Sequence, residues 1–332
     1  MIDKKEPLQK FIDMKFGMFI HFGLYSLGEE HEWHMHRYNM KKEAYAKEFI
    51  PRFNPDPKGM EQWVVTAKEM GAKYLTVTSK HHDGFCLWDS EVTRPIFPEY
   101  HIRSTPYYKN NQTGVIEKLY EACEKHDMKL GLYYSTIDWS FTKKPRFKRN
   151  YKYPQDPGLL EQYNTYYYEQ CRELKKKFPK IFDIWFDGYQ FGPEYPRVLR
   201  QKEVYAKLSE EFPDFLVASN PGCAAAYSSY KGTTDIALIE NPGHATDVVE
   251  VNASGEGNEF VGELCFNLNR HWGFNANDKE YKSPEYVVNL IKAMNAQNVN
   301  VLLNFGPHWS GYILDEQVEI AKKIGNLLKI QV

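Results

Sequence analysis

Lys80-His81-His82-Asp83 follows directly on the β-branched, apolar run from Tyr74 to Thr78 and is stopped by Gly84. A run of that kind, without polar alternation, reads as a strand buried on both faces. Two imidazoles and a carboxylate at its C-terminal end are costly to desolvate unless they are paired or used. In parallel α/β proteins that end of a strand is where ligands bind. Other apolar runs end in the same way. His21 closes one, with Glu32 and Trp33 in the loop beyond, and Tyr133-Tyr134 closes another, with Trp139 following. Trp185-Phe186-Asp187-Gly188 and Glu240-Asn241 close two more, while Glu263 lies near the start of a run whose following loop holds Trp272 and Phe274. Imidazoles, aromatic platforms and at least two carboxylates on one face are the inventory for cleaving a glycosidic bond. One carboxyl protonates the leaving oxygen, a second carboxylate serves the anomeric carbon, and the remaining groups grip hydroxyls. One geometric condition applies to the adjacent histidines. Neighbouring side chains on a strand point to opposite faces, so both reach one ligand only where the strand has ended or bulged.

Such a face needs a scaffold that gathers strand ends, and the periodicity supplies one. Strands are expected at 16–22, 73–79, 130–135, 181–186, 215–219, 235–239, 262–266 and 299–304. Helices are expected between most of them, at about 114–127, 159–178, 199–211 and 314–329 and around Trp63 and Val287. The stretch from Asn220 to Val261 reads as helix-poor. Eight strands alternating with helices over this length predict a single-domain (β/α)8-like, TIM-type barrel spanning residues 1–332. A doubly wound sheet fits less well, because no Gly-rich phosphate loop occurs.

The 332 residues carry 42 Lys and Arg against 44 Asp and Glu, a net charge of −2 that gives no reason to expect nucleic acid or an anionic membrane as partner. Five scattered cysteines without CxxC spacing argue against structural zinc and a disulfide framework. The N-terminus lacks an apolar signal region. A cytoplasmic location is therefore expected, although a trimmed secreted form would read the same. Oligomeric state is left open.

Five segments in order carry a family resemblance: Lys15–Ser26, Lys80–Phe85, Gly131–Ser135, Trp185–Gly188 and Leu302–Pro307. They resemble the motifs of glycoside hydrolase family 29, the α-L-fucosidases, over about residues 11–330. The resemblance implies a retaining exo-α-L-fucosidase acting on a fucosylated glycan or small fucoside, with no cofactor and no metal. Asp187 matches the family nucleophile; as a bare strand-end residue it could equally cap a helix. Glu240 stands where similar fucosidases place an acidic residue and is the first candidate for acid/base. Glu263 is the second, and the intervening Glu250, Glu256 and Glu259 read as a solvated loop. His21, His81 and His82, and with them Glu32, Trp33 and Tyr134, match ligands of the fucose hydroxyls. Trp185 belongs to the nucleophile motif, and Trp272 with Phe274 resembles the aromatic wall for the fucose methyl group.

The chain also departs from the family. Ser219-Asn220-Pro221-Gly222 replaces an Asn-Asp-Arg motif, so the arginine's contact is missing or replaced. The usual C-terminal β-sandwich is not found before Val332, which suggests a short form. Three alternatives follow from these departures and from the histidines. The first is a carbohydrate-binding barrel without catalysis, and the second a glycosidase of shifted specificity. The third is a metal-dependent hydrolase using His21, His81, His82 and Asp187; it is disfavoured because His34-Met35-His36, the one HxH pair, falls beyond the first strand.

Overall fold

The computed structural model describes residues 3–141, 154, 156–188, 199–220, 234–241 and 261–330. Within them, strands β1 (Phe16–Ile20), β2 (Tyr74–Lys80), β3 (Lys129–Ser135), β4 (Asp183–Asp187), β5 (Leu216–Ser219), β6 (Ile236–Asn241), β7 (Gly262–Asn267) and β8 (Val299–Phe305) close a barrel in chain order. All neighbours are parallel, and closure runs through β1 and β8, with Phe16 opposite Val301. Every C-terminal strand end therefore opens on one face, as the motif positions require.

Local chemistry explains the outer helices. Lys58–Met70 buries Met60, Trp63, Val64, Ala67 and Met70, a spacing of three and four that makes one apolar stripe, and stops at Gly71 in the left-handed region. Pro106–Asn111, Pro157–Lys177 and Pro284–Asn295 each begin with proline behind a side-chain cap, from Thr105, Asp156 and Ser283 respectively. The helix Lys5–Met14 lies outside the sequence expectations. It runs under the barrel, where buried Phe11 packs on Tyr74 and Phe182 and its carbonyl accepts from Asn300 Nδ2 at 2.7 Å. Two apolar layers result. One lies between sheet and helices; the other fills the barrel with Phe19, Tyr74, Tyr133, Trp185, Leu238, Cys265 and Leu302. No helix among the described residues is long and apolar enough to cross a membrane. The acidic loop residues Glu250, Glu256 and Glu259, and most of the stretch read as helix-poor, lie outside the described residues.

Candidate active site

The period of two along each strand decides which side chains enter the barrel. On β4, Asp183, Trp185 and Asp187 face inward, with Asp187 the last and nearest the mouth. On β6 the inward set is Ile236, Leu238 and Glu240. Glu240 and Asp187 meet in a cleft that holds about 530 Å³ of empty space, open to solvent at the mouth. Phe19, Tyr133, Trp185 and Trp272 make its apolar floor and walls; His21, Glu32, Trp33, His81 and His82 surround it with polar and aromatic groups.

Asp187 is held by three donors. Tyr133 Oη donates to Oδ2 at 2.6 Å, the Gly188 amide to Oδ1 at 2.6 Å, and Asn220 Nδ2 to Oδ1 at 3.3 Å. Gly188 adopts φ 86°, and a Cβ there would come within 2.7 Å of Ile137 Cγ1, so the turn that aims its amide at the carboxylate requires glycine. The same Asn220 nitrogen donates to Glu240 Oε2 at 2.9 Å. Carboxyl oxygens that share one nitrogen at these distances lie within roughly 6 Å, which suits a retaining pair and falls short of the ~6.5–9.5 Å of inverting ones. Burial and the neighbouring Asp187 charge push the Glu240 carboxyl up to about 7, with the Asn220 bond pulling the other way. A carboxyl that keeps its proton near neutrality beside one fixed by three donors is the division needed for general acid and nucleophile.

Glu263 is placed differently, and the register gives the reason. Glu240 lies opposite Cys265 on β7, whereas Glu263 lies opposite Leu238, two residues and roughly 7 Å further from the mouth. Both its oxygens are occupied, by Tyr74 Oη at 2.5 Å and Trp185 Nε1 at 2.8 Å, and burial raises it to about 7. It braces the floor of the cleft from beneath.

The histidines satisfy the bulge condition. Pairing of β2 with β3 slips between Thr78 and Lys80, so Lys80 faces the helices, where Asp138 takes its ammonium at 3.0 Å with both groups fully buried. His81 then faces inward, and the strand ends, so His82 turns in beside it. Asp83, from the same cluster, turns away to accept from Tyr45 Oη and the Phe85 amide. Asn304 Nδ2 donates to Asn267 Oδ1 and the Trp272 carbonyl, which leaves Asn304 Oδ1 to accept from His21 Nδ1 at 2.7 Å. Burial lowers His21 to about 3. The ring is therefore neutral and presents its Nε2 lone pair as an acceptor. His81 is likewise held neutral by burial, and its buried Nδ1 has no hydrogen-bond partner among the described residues. His82 Nδ1 meets Ser135 Oγ at 2.6 Å, and its Nε2 stands 3.6 Å from Asp187 Oδ2. Glu32 is raised to about 7, chiefly by burial, and accepts from the Gly273 amide at 3.1 Å; the charge of Glu240, in the same cleft, adds to the rise. Among the described residues no group of three or more His, Cys, Asp or Glu side chains could hold a metal ion.

With the geometry in place, comparison with known proteins decides the lineage. The family model "Alpha-L-fucosidase" matches residues 1–332. The chain belongs to the alpha-L-fucosidase family. Alpha-L-fucosidase 1 of Arabidopsis thaliana is 25% identical over 322 residues; the match takes in 93% of this chain but only 57% of that protein. The alpha-L-fucosidase isoenzyme 1 structure from Paenibacillus thiaminolyticus superposes with a TM-score of 0.81 at 28% identity, covering 98% of this chain and 76% of that one. The unliganded alpha-L-fucosidase AlfC structure from Lactobacillus casei shares the fold, with a TM-score of 0.76 at 23% identity and 98% of each chain covered.

Two residues expected in the site from the family resemblance are not in it. Tyr134 neighbours Tyr133 on β3 and must face the other way. It is fully buried against the helix Pro157–Lys177, donating to Gln170 Oε1 at 2.6 Å and accepting from Lys80. Tyr133 is the site tyrosine. Phe274 also turns away: Gly273 is tied by its amide to Glu32 and pressed by Gly306, and the Phe274 ring beyond packs edge-on to His308 at 4.9 Å. Trp272 alone forms that wall, 5.1 Å from the His21 ring. Two residues enter that the family resemblance does not assign to the site, Tyr133 and Asn220. The inward parity of Phe19, Trp185 and Asp187 points to the first; nothing local points to the second.

Proposed function

We propose that this chain is a retaining exo-α-L-fucosidase, acting as one catalytic domain on the terminal fucose of a glycan or small fucoside. The observation that carries this reading is the single Asn220 nitrogen touching both Asp187 and Glu240. An Asp187 oxygen attacks the anomeric carbon while Glu240 gives its proton to the departing oxygen; the C–O bond breaks and a fucosyl ester of Asp187 forms. Glu240, now ionised, takes a proton from water, whose oxygen attacks the same carbon and frees the sugar and Asp187. His21 accepts a hydrogen bond from a sugar hydroxyl through Nε2, and His81, His82, Glu32 and Trp33 complete the hydroxyl contacts. The apolar wall of Phe19, Trp185 and Trp272 suits the methyl group of a 6-deoxy sugar, and a cleft closed at its floor accepts a chain end.

The test is release of 4-nitrophenol from 4-nitrophenyl α-L-fucoside by the wild type and by Asp187→Ala. Turnover by the wild type with loss of at least ~10⁴-fold in the variant is expected, by analogy with removal of other covalent nucleophiles. An inert wild type, or an active Asp187→Ala, overturns the assignment.

A further inference from the structure

Four large apolar or aromatic side chains remain exposed among the described residues, and two of them, Tyr38 and Trp309, stand on loops at the barrel mouth. Tyr38 is 55% exposed and Trp309 38%. Neither ring is loose. Trp309 Nε1 donates to Glu29 Oε1 at 2.7 Å, and Tyr38 Oη donates to Glu30 Oε2 at 2.5 Å. The segment bearing both acids is tied to the loop after β7: the Ala276 amide donates to the Glu29 carbonyl and Asn275 Nδ2 to the Glu30 carbonyl. Each ring thus has its only polar atom satisfied and one side packed on a histidine ring, His34 for Tyr38 and His308 for Trp309, both at 4.6 Å, while the rest of the ring is exposed.

The direction of the leaving group connects this rim to the cleft. The oxygen that receives the Glu240 proton must lie beside Glu240, and Glu32 lines the same cleft near enough to feel the Glu240 charge. Outward from Glu32, the His31 ring stands edge-on to His271 at 5.7 Å. Three residues before Glu32 in the same loop, Glu29 holds Trp309. Trp309 also packs on His308 at 4.6 Å, and His308 in turn meets Phe274 at 4.9 Å, in the loop that carries the cleft residue Trp272.

We infer that Trp309 and Tyr38 form a stacking platform for the second and later sugars of the substrate, the part that leaves with the fucosyl oxygen. This rests on the fucosidase reading above. The chemistry fits a pyranose better than a protein surface. A sugar ring offers a C–H face to an aromatic ring and hydroxyls to neighbouring acceptors, and here each of the two rings has a carboxylate at its edge, so they form no continuous apolar patch.

The test compares Trp309→Ala with the wild type on two kinds of substrate. α-L-Fucosyl fluoride has a one-atom leaving group that cannot reach the rim; a panel of trisaccharides with fucose attached to a disaccharide can. For the fluoride, kcat/KM should stay within twofold of wild type. For the trisaccharide the wild type cleaves best, kcat/KM should fall roughly three- to tenfold, mainly through KM, the size of one stacking contact. Trp309→Phe, which keeps a ring face, should recover most of that fall, and Tyr38→Ala should show the same selectivity. An equal fall on both substrates, no fall on the trisaccharide, no trisaccharide cleaved, or a change in oligomeric state of Trp309→Ala on gel filtration would overturn the platform. A wild type inert toward the fluoride as well would instead overturn the fucosidase reading beneath it.

Discussion

Replacing Asn220 with alanine removes the one donor shared by the two carboxyl groups, and the sign of the effect follows from which protonation state it favours. An amide N–H donates to a carboxylate, so the bond at 2.9 Å stabilises ionised Glu240 and holds its pKa down against burial and the Asp187 charge. A hydrogen bond to a charged group contributes about 1.5–3 kcal/mol, and one pKa unit corresponds to about 1.36 kcal/mol. Some of that contribution returns as water enters the space left by the amide, so the net rise should be roughly one unit. The alkaline limb of kcat/KM reports the general acid of the free enzyme. It should move from about 7 in the wild type to roughly 8 in Asn220→Ala. Asp187 keeps Tyr133 and the Gly188 amide and gives up only the longer bond at 3.3 Å. The plateau rate should therefore fall about fivefold to tenfold, the size of one weak hydrogen bond. The assay is kcat/KM for 4-nitrophenyl α-L-fucoside from pH 4.5 to 9.5, with circular dichroism to confirm folding. A limb that stays in place or moves down would refute the claim that Asn220 tunes Glu240.

Three further outcomes follow from the same geometry. Glu240→Ala should lose ~10²–10⁴-fold in turnover and regain activity with azide, which needs no general base; Glu263→Ala should show no azide rescue and a lower Tm, because it orphans Tyr74 Oη and Trp185 Nε1. Gly188→Ala should cost roughly 1–3 kcal/mol by thermal denaturation and depress kcat, since a side chain at φ 86° also meets Ile137; an unchanged kcat would show that the Gly188 amide does not position Asp187. Glu263 keeps its proton up to about pH 7 in the fold, while an unfolded glutamate loses it near ~4.3. The unfolded chain then binds fewer protons through that window, so stability falls as pH rises across it, by roughly 4 kcal/mol for this group. Glu263→Gln should flatten the drop in Tm between pH 5 and 7.5, and an unaltered slope would count against a buried neutral Glu263.

Strand positions are legible because a barrel strand is buried on both faces and reads as an unbroken apolar run, and the expected boundaries fall within two residues of the eight strands found. Asp187 is legible for the related reason that a charged residue closing such a run stands out. The helix Lys5–Met14 is not, since only Phe11 on it is fully buried, with Leu8 and Met14 half-buried against the barrel interior, a stripe too short to stand out. Family motif alone places Tyr134 and Phe274 in the cleft. Strand alternation leaves room there for only one of Tyr133 and Tyr134, and the parity of β3 selects Tyr133. For the histidines the same rule needs a bulge at Ser79, and no residue type there announces one.

Asn220 shows the limit most clearly. Along the chain, Ser219-Asn220-Pro221-Gly222 is a place where an expected arginine is missing, which suggests a weakened site. In space, β5 lies between β4 and β6, so the residue that ends β5 is the only one among the three strand ends that can touch both Asp187 and Glu240. Its value comes from the order of strands around the barrel and not from its neighbours in sequence. The same topology separates the two candidate acids: Glu240 and Glu263 sit on adjacent strands and both face inward, but the stagger of β6 against β7 puts one at the mouth and the other beneath the floor. A register is a relation between two strands. Neither strand's sequence alone carries it, so the difference in depth between Glu240 and Glu263 follows only once the barrel is closed.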